Sequence, residues 1–315
     1  MRIIRLSSWI FSIGLLFTAC QTGVEEEEIK TPQYLMILGI AQDAGFPHIN
    51  NPDEWKALQN GESDKELVTS IGLVDNNAKK KYLIEATPDM PEQLHNLEFN
   101  SFKNNRLVDG VFLTHAHIGH YTGLMYFGRE AMGADNIPVY AMPKMQDFLI
   151  NNGPWSQLVK LNNIKITPLE ADKKTYLTEA FQIIPILVPH RDEFSETVGY
   201  KIIGPEKTAL FIPDINKWQL WNKNIIEEVK KVDYALLDAT FFKEGEIPRD
   251  MAEVPHPFIE ETTALFEEEA GTLKSKIIFI HFNHSNPALL RNQKDRKLLE
   301  KEGYRFAKTG MILPM

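Results

Sequence analysis

Short apolar runs alternate with polar, turn-forming segments throughout residues 32–315. Typical runs are Tyr34–Ile40, Val108–Thr114 and Phe181–Val188, which are rich in β-branched and aromatic residues. Runs of this length and composition predict buried strands. Strands dominate the first half of the chain, and segments of helical spacing are interspersed in the second half. This order favours an α/β (α+β) fold with two sheets packed together and helices outside, rather than a doubly wound parallel sheet.

The other apolar and periodic segments complete the predicted element order. Further strands are predicted at Ser70–Val74, Lys81–Glu85, Pro138–Met142, Ile164–Leu169, Thr197–Ile203, Thr208–Ile212, Tyr234–Leu237, Lys276–Ile280 and Arg305–Leu313. Helices are predicted at Asp53–Asn60, Pro88–Phe99, Tyr121–Met132, Lys144–Asn151, Lys217–Lys231, Phe258–Ala270 and Pro287–Glu302. No linker, low-complexity segment or repeat interrupts residues 32–315, so the sequence predicts one domain.

The N-terminal segment predicts an exported protein with a lipid anchor. Arg2 and Arg5 precede the apolar stretch Trp9–Phe17, which is the layout of a secretion signal. That stretch is shorter than the roughly 20 apolar residues of a membrane-spanning helix. Leu16–Cys20 resembles a lipobox, whose cysteine is lipidated and becomes the first residue of the mature protein. The alternative is an ordinary cleaved signal in which Cys20 is incidental.

The chain is therefore divided into three predicted parts. Residues 1–19 are expected to be a lipoprotein signal peptide. Residues 20–31, which contain four consecutive Glu, are expected to be an acidic, solvated tether. Residues 32–315 are expected to form the folded domain. The expected location is the outer membrane, on its periplasmic or surface face, with the protein held to the membrane through lipid at Cys20.

Composition limits the chemistry of the domain. The chain is 43% apolar and 24% charged over 315 residues, which is ordinary for a globular protein. Its net charge is -9, and no dense Lys/Arg patch interleaves with aromatic residues, so a small molecule is a better partner than a nucleic acid polymer. Cys20 is the only cysteine. A metal in the domain must therefore be held by His and carboxylate side chains. The sequence does not indicate an oligomeric state.

A group of histidines follows the predicted strand Val108–Thr114. His115, His117 and His120 fall within six positions, although the whole chain has nine His. The two-residue period of a strand points His115 and His117 to the same side, and His120 lies where the chain turns. Converging imidazoles at the end of a strand suit zinc or iron. The alternative is a solvated loop that is rich in histidine.

Three more metal-binding side chains come at the ends of other apolar runs: His190, Asp214 and His281. Any one of them alone would be read as a capping or hydrogen-bonding residue. Their shared position at strand ends places all of them at one rim of the core. Together with the histidine group they predict a metal site assembled from distant parts of the chain.

The order of these residues resembles that of the metallo-β-lactamase superfamily, a group of metallohydrolases with a four-layer αββα sandwich. The superfamily pattern is His-x-His-x-Asp-His, a later His, a bridging Asp and a final His. Here Gly119 stands where the pattern has its first Asp. Four segments further resemble pyrroloquinoline quinone biosynthesis protein B and its uncharacterised relatives, and a more distant likeness is to cyclic-phosphate phosphodiesterases and tRNase Z. The four segments are Leu38–Pro47, Val188–Gly199, Leu237–Phe242 and Ile280–Pro287.

The resemblance implies one or two divalent metal ions, with zinc expected and iron as the alternative. His115, His117 and His190 would hold a first metal. A second would be held by His120, Asp214 and His281, with Asp214 as the bridge. Because Gly119 is not a ligand, the second metal could be absent, weak or held by a substitute. The candidate substitutes are Asp43, Asp238, His256 and His284.

The resulting prediction is an exported hydrolase that uses a metal-activated water on a small ester, lactone, amide or phosphodiester. Asp214, His281, Asp43 and His256 are its candidate catalytic residues. Arg191 could bind an anionic group of the substrate, or pair with Asp192 or Glu193. One alternative is an iron-dependent oxidative enzyme related to pyrroloquinoline quinone biosynthesis protein B. Another is a non-catalytic metal- or ligand-binding lipoprotein.

Overall fold

A computed structural model describes residues 31–291 and 293–315. The predicted signal peptide, Cys20 and nearly all of the predicted tether lie outside these residues, so their assignment stays a prediction. Thr31–Met315 form one compact unit. Within the described residues, none of the helices combines the length and the apolar character that crossing a membrane requires.

Fourteen strands form two mixed sheets of seven within the described residues. The first sheet has the order β14-β1-β2-β3-β4-β5-β6, and its strands are β1 Gln33–Gly39, β2 Ser70–Asp75, β3 Lys80–Ile84, β4 Gly110–Phe112, β5 Ile137–Ala141, β6 Ile164–Pro168 and β14 Ile312–Pro314. The second has the order β13-β12-β11-β10-β9-β8-β7, with β7 Thr175–Tyr176, β8 Gln182–Leu187, β9 Val198–Ile203, β10 Thr208–Ile212, β11 Tyr234–Asp238, β12 Ile277–Ile280 and β13 Arg305–Phe306.

The helices are short. They are α1 Pro52–Gln59, α2 Met90–Phe99, α3 Ile118–Tyr121, α4 Pro143–Asn151, α5 Trp155–Lys160, α6 Ile225–Lys230, α7 Ile259–Leu265, α8 Gly271–Lys274 and α9 Lys294–Glu302. In addition, 3-10 segments lie at Thr122–Phe127, Trp218–Leu220, Met251–Glu253 and Pro287–Leu289.

The main core lies between the two sheets. On β1, Leu35 and Ile37 belong to the same buried cluster as Tyr200 of β9 and Phe211 of β10. The alternate residues of β1 are buried as well, because α2 packs on the other side of that strand. Burial on both faces explains why the strand sequences are continuously apolar instead of alternating. The predicted sandwich of two sheets between helices is confirmed.

The helix predicted at Lys217–Lys231 is wrong in its first half. A 3-10 turn at Trp218–Leu220 is separated from α6, which begins after the capping side chain of Asn224. The indole N–H of Trp218 donates to Thr262 Oγ1 at 2.9 Å, and that of Trp221 donates to the Leu187 carbonyl at 2.8 Å. Burying both rings in the core therefore decides the backbone path and overrides helical propensity.

Other predicted elements are shorter or divided. In place of the helix predicted at Tyr121–Met132, the structure has a 3-10 segment at Thr122–Phe127. A Cβ on Gly123 would lie 2.1 Å from the Thr87 carbonyl oxygen, so the two backbones are in contact there. The end of the chain, Arg305–Leu313, is two strands instead of one, because β13 joins the second sheet and β14 the first. Two further predicted helices are also shorter. Pro287–Glu302 is observed as a 3-10 turn followed by α9, and Phe258–Ala270 is observed as α7 alone.

Strand direction gathers the candidate ligands at one edge. In the first sheet, β1 and β3 are both antiparallel to β2, and β4 is parallel to β3, so β1 and β4 run the same way. In the second sheet β8, β10, β11 and β12 share one direction by the same reasoning. The carboxyl ends of these strands therefore lie at a common edge within each sheet, which is where the polar side chains follow.

Candidate metal centre

Six of the strands that share these directions end in, or are followed by, a metal-binding side chain. Asp43 follows β1, His115 and His117 follow β4, and His120 lies in α3 immediately beyond them. In the second sheet the corresponding side chains are His190 after β8, Asp214 after β10, Asp238 at the end of β11 and His281 after β12. All the residues predicted as ligands from the sequence thus meet at one end of the sandwich.

The first group consists of His115, His117, His190 and Asp214, whose ligand atoms all lie within 4.8 Å of one another. The Nε2 atom of His115 is 3.4 Å from Asp214 Oδ2, and that of His190 is 3.2 Å from Asp214 Oδ1. Two ligands of one tetrahedral zinc ion lie about 3.4 Å apart when each is about 2.1 Å from the metal. The spacing of this group therefore fits one metal ion.

A second group contains Asp43, His120 and His281, with ligand atoms again within 4.8 Å of one another. The Nε2 atom of His120 lies 3.1 Å from Asp43 Oδ1 and 3.5 Å from Asp214 Oδ2. His281 Nε2 lies 3.8 Å from the same Asp214 oxygen. Asp214 therefore lies between the two groups, in the position that a bridging carboxylate requires.

Asp43 fills the space beside Gly119. A Cβ placed on Gly119 would lie 2.0 Å from Asp43 Oδ1 and 2.6 Å from its Cγ, far inside van der Waals contact. An aspartate at position 119 and the observed position of the Asp43 carboxylate therefore exclude each other. The carboxylate that the superfamily pattern supplies from the histidine loop comes here from the loop after β1.

The remaining candidate substitutes are placed differently. Asp238 and His256 form a third group with Asp214. His284 belongs to none of the three groups found among the described residues; its Nδ1 is 2.7 Å from Glu54 Oε1, and its ring stacks on His48 at 4.2 Å between centroids. Of the four candidates, only Asp43 is close enough to His120 and His281 to complete the second group.

Hydrogen bonding supports a metal at both groups. The buried atoms without a hydrogen-bond partner among the described residues include His115 Nε2, His120 Nε2, His190 Nε2, His281 Nε2, Asp214 Oδ1 and Asp43 Oδ1. Buried polar atoms are almost always satisfied, so a cluster of exceptions that consists of good ligand atoms requires a partner of another kind. A divalent cation is such a partner, and these residues fit it.

The opposite side of each buried ligand ring is held by the protein. Thr114 Oγ1 lies 2.8 Å from His115 Nδ1, Asn216 Oδ1 lies 3.2 Å from His190 Nδ1, and Thr240 Oγ1 lies 3.0 Å from His281 Nδ1. Under His120, the fully buried Glu85 has its Oε1 3.4 Å from Nδ1. Such contacts orient the ring and leave Nε2 for the metal.

Sequence reasoning missed these supporting residues. The sequence places Glu85 in a predicted strand, although a carboxylate directly after the apolar run of β3 is the same signal that identifies Asp214. Thr114, Asn216 and Thr240 are ordinary polar residues beside ligands, and only the fold shows which ring each one contacts.

Charge in the site follows from burial and from the neighbours of each group. Burial alone raises the pKa of Asp214, but the surrounding imidazoles, His190 first, hold that pKa well below its ordinary value. Asp43 behaves in the same way, with His120 lowering its pKa. Burial lowers the pKa of His115 and His190, which favours neutral rings with a free lone pair. In the first group, an ionised carboxylate beside neutral imidazoles is the donor set that a divalent cation needs. In the second group, burial is outweighed by Glu85 and Asp43, which raise the pKa of His120 well above its ordinary value, so metal binding there would release a proton.

His256 is placed by a separate network next to the bridge. Its Nδ1 is 2.9 Å from Asp238 Oδ2, and Asp238 Oδ1 accepts bonds from the Thr240 backbone N–H at 2.9 Å and hydroxyl at 2.7 Å. The same Nδ1 is 3.2 Å from Asp214 Oδ1. With Nδ1 committed to the carboxylates, Nε2 is the ring nitrogen that remains for a proton transfer.

The site opens on the side of His117 and Asp43. Their side chains are 14% and 36% exposed, whereas those of the other ligands are at most 4% exposed. Arg191 is exposed next to this opening and makes no ion pair with a described carboxylate, although Asp192 and Glu193 follow it directly. The predicted pairing of Arg191 with those residues is therefore not observed.

Comparisons with known proteins agree with this geometry. Residues 80–282 match the family model described as the beta-lactamase superfamily domain. The chain belongs to this superfamily. It is 24% identical over 306 residues to coenzyme PQQ synthesis protein B of Gluconobacter oxydans, a match that covers 88% of this chain and 97% of that protein.

Solved structures show the same fold. The Zn(2+)-bound PqqB of Methylobacterium extorquens superposes with a TM-score of 0.73 at 18% identity, covering 90% of this chain and 100% of that one. A diphosphatase of the PhnP family gives a TM-score of 0.62 at 21% identity, covering 89% and 96%. The metallo-β-lactamase fold and the likeness to PqqB are confirmed, and the chain carries a cluster of His and Asp side chains that could hold metal ions.

Proposed function

We propose that this protein is a dinuclear metallohydrolase that acts on a small anionic ester, with a phosphodiester as the favoured substrate. The observation that carries the proposal is the pair of ligand groups with Asp214 between them: Asp214 belongs to the first group, its Oδ2 lies 3.5 Å and 3.8 Å from two nitrogens of the second, and Asp43 completes the second. A shared carboxylate keeps two metal ions close enough to act on the attacking and leaving oxygens of one displacement.

The two groups divide the binding of metal between them. One ion would be held by His115, His117 and His190. The other would be held by His120, His281 and Asp43, and Asp214 would contact both ions. When bound, divalent ions lower the pKa of a coordinated water toward about 7 and polarise the bond under attack. No nucleophilic side chain of the protein is needed for this chemistry.

The protein supplies substrate orientation and a proton. Arg191 adds a cation at the open side of the site, where it would bind an anionic oxygen of the substrate. Asp238 holds His256 so that Nε2 faces away from the carboxylates, and His256 would donate a proton to the leaving oxygen. Asp238 is thus a positioning residue.

The first test is a hydrolysis assay on the metal-free protein reloaded with zinc, manganese or iron. Bis(p-nitrophenyl) phosphate, p-nitrophenyl acetate, a homoserine lactone and a cephalosporin cover the phosphodiester, ester, lactone and amide classes. We expect metal-dependent turnover that is highest on the phosphodiester. Absence of turnover on all four substrates with every metal would contradict a hydrolase.

The role of His256 has a distinct signature. His256→Gln should reduce turnover of a phosphodiester with an alkoxide leaving group by about 10²-fold, the usual contribution of a positioned acid. It should change turnover of bis(p-nitrophenyl) phosphate much less, because p-nitrophenolate leaves without protonation. Equal losses on both substrates would mean that His256 acts only on the structure of the site.

One observation favours a second candidate. Similarity to coenzyme PQQ synthesis protein B extends over 88% of the chain, and the imidazole and carboxylate ligands do not choose between zinc and iron. The alternative is an iron-dependent oxidative role in the synthesis of a quinone cofactor. Oxygen uptake by the iron-loaded protein in the presence of a tyrosine-derived quinone precursor would support it. The unpartnered ligand nitrogens argue against a decayed, non-catalytic site.

For location we propose export and a lipid anchor at Cys20, on the basis of the signal-like N-terminal sequence. The observation is the charged, apolar and lipobox-like order of residues 1–20. Labelling of the wild-type protein but not Cys20→Ala with radioactive palmitate in the native host would support it, and recovery of both in the soluble cytoplasmic fraction would contradict it.

A further inference from the structure

A surface cleft opens beside the first group of ligands. It has a volume of about 470 Å³ and lies between α4 and the segment that follows His190. Glu193 connects the cleft with the ligands. It lines the cleft, and its Oε2 is 3.5 Å from Nε2 of the partly exposed ligand His117. The cleft therefore lies one side chain away from the first group of ligands.

The walls of the cleft are fixed by polar contacts. The Ser195 hydroxyl accepts a hydrogen bond from the Ala116 backbone N–H at 2.8 Å, so the segment is tied to the histidine loop. The carboxylate of Glu196 accepts the Lys144 N–H at 3.0 Å, which ties the same segment to the start of α4. The cleft is thus held in a fixed position relative to the metal ligands.

Two aromatic rings form the apolar part of the cleft. Phe194 is 62% exposed, and its ring lies 5.6 Å from that of Phe148. Phe148 in turn packs edge-on against Tyr121, at 5.4 Å between centroids. A phenylalanine so exposed and backed by further rings presents its face to whatever enters the cleft.

The charged residues of the cleft are mainly acidic. They comprise the carboxylates Asp147, Asp192 and Glu193 and one ammonium group, Lys144. Lys144 Nζ is 3.9 Å from Asp192 Oδ2 and offsets that charge. Asp147 and Glu193 remain, so the cleft disfavours an anion and, with its aromatic faces, favours a cation. Arg191, which directly follows the ligand His190, does not line the cleft.

We propose that this cleft is the specificity subsite of the enzyme and binds a positively charged organic group, a quaternary or protonated amine, attached to the ester that is cleaved. The inference rests on the proposed hydrolytic site, because the cleft can serve as a subsite only for a reaction at the neighbouring ligands, which it approaches through the contact of Glu193 with His117. The anionic ester lies at the metals and Arg191, and the cationic end lies against Phe194.

Binding of small probes tests the subsite without any need for hydrolysis. Benzyltrimethylammonium, benzyl alcohol and benzenesulfonate, none of which has a hydrolysable bond, are titrated into the zinc-loaded protein and followed by ligand-observed NMR. We expect the cation to bind most tightly. Phe194→Ala should weaken its binding about threefold, the size of an exposed cation–π contact, while Phe194→Tyr should retain it. Phe99→Ala is the matched control, because Phe99 is 69% exposed on α2.

Charge is tested by the double variant Asp147→Asn with Glu193→Gln, which removes the two carboxylates that Lys144 does not offset. The preference for the cation over benzenesulfonate should then fall at least threefold. Equal binding of the three probes by the wild-type protein, or no effect of Phe194→Ala, would overturn the proposal. Because the probes cannot be hydrolysed, a cation preference in a protein without hydrolase activity would support the subsite and contradict only the proposed function.

Discussion

Asp43→Ala is expected to lower phosphodiester turnover by about 10²–10³-fold, because a metal ion that stabilises the transition state supplies several kcal/mol. Asp43 Oδ1 is 3.1 Å from His120 Nε2 and is one of three ligands in the second group. The first group does not include Asp43, so the first metal should stay bound. The measurement is turnover at saturating zinc, together with a zinc titration of each protein.

The exchange of the two positions is the control. Gly119→Asp alone should also lose activity, since its Cβ would lie 2.0 Å from Asp43 Oδ1. In the double variant Asp43→Ala with Gly119→Asp the carboxylate returns to the histidine loop, and turnover should rise about tenfold above that of Asp43→Ala. A double variant that is worse than both single variants would show that Asp43 acts in some way other than as the displaced ligand.

His117→Ala is expected to lower turnover by about 10³-fold relative to the wild-type protein, because it removes a ligand from the first group. The substitution tests chemistry more than folding, since the His117 side chain is 14% exposed while the other imidazole ligands are almost fully buried. His95→Ala is the matched control, because His95 is exposed on α2 and is not a ligand.

For His117→Ala the readouts are turnover, zinc affinity and the midpoint of thermal unfolding in excess chelator. We expect the chelated wild-type and variant proteins to unfold at nearly the same temperature, and zinc to stabilise the wild-type protein more than the variant, which keeps only the second ligand group complete. Activity that survives the substitution would exclude the first group from the reaction.

The sandwich fold was predictable because burial shapes its sequence directly. Continuous apolar runs such as Leu35 to Ile40 are needed where a strand is covered on both faces, and they were found as strands. Where tertiary contacts determine the path of the backbone, the local sequence pattern predicts the wrong element. Trp218 and Trp221 break the predicted helix because their rings must reach the core, and the turn after Phe306 sends the last strand to the other sheet.

The ligands of the site were predictable for a similar reason, and the completion of the second group was not. A polar residue directly after a buried strand lies at a known edge, so His190, Asp214 and His281 could be found from the sequence. Choosing Asp43 over His284 requires knowing which loop reaches Gly119. The path of that loop depends on the pairing of β1 with β2 and on the position of the loop after β1. The sequence around Asp43 or His284 does not reveal either feature.

The central claim is that Asp43 completes a second metal site in the absence of a carboxylate at position 119, and metal content tests it most directly. Anaerobically purified wild-type and Asp43→Ala proteins are stripped with chelator, reloaded with zinc, separated from free metal and analysed by inductively coupled plasma mass spectrometry. The account predicts about two zinc ions per wild-type chain and about one per variant chain. Equal zinc content in the two proteins, whether about one or about two per chain, would contradict it.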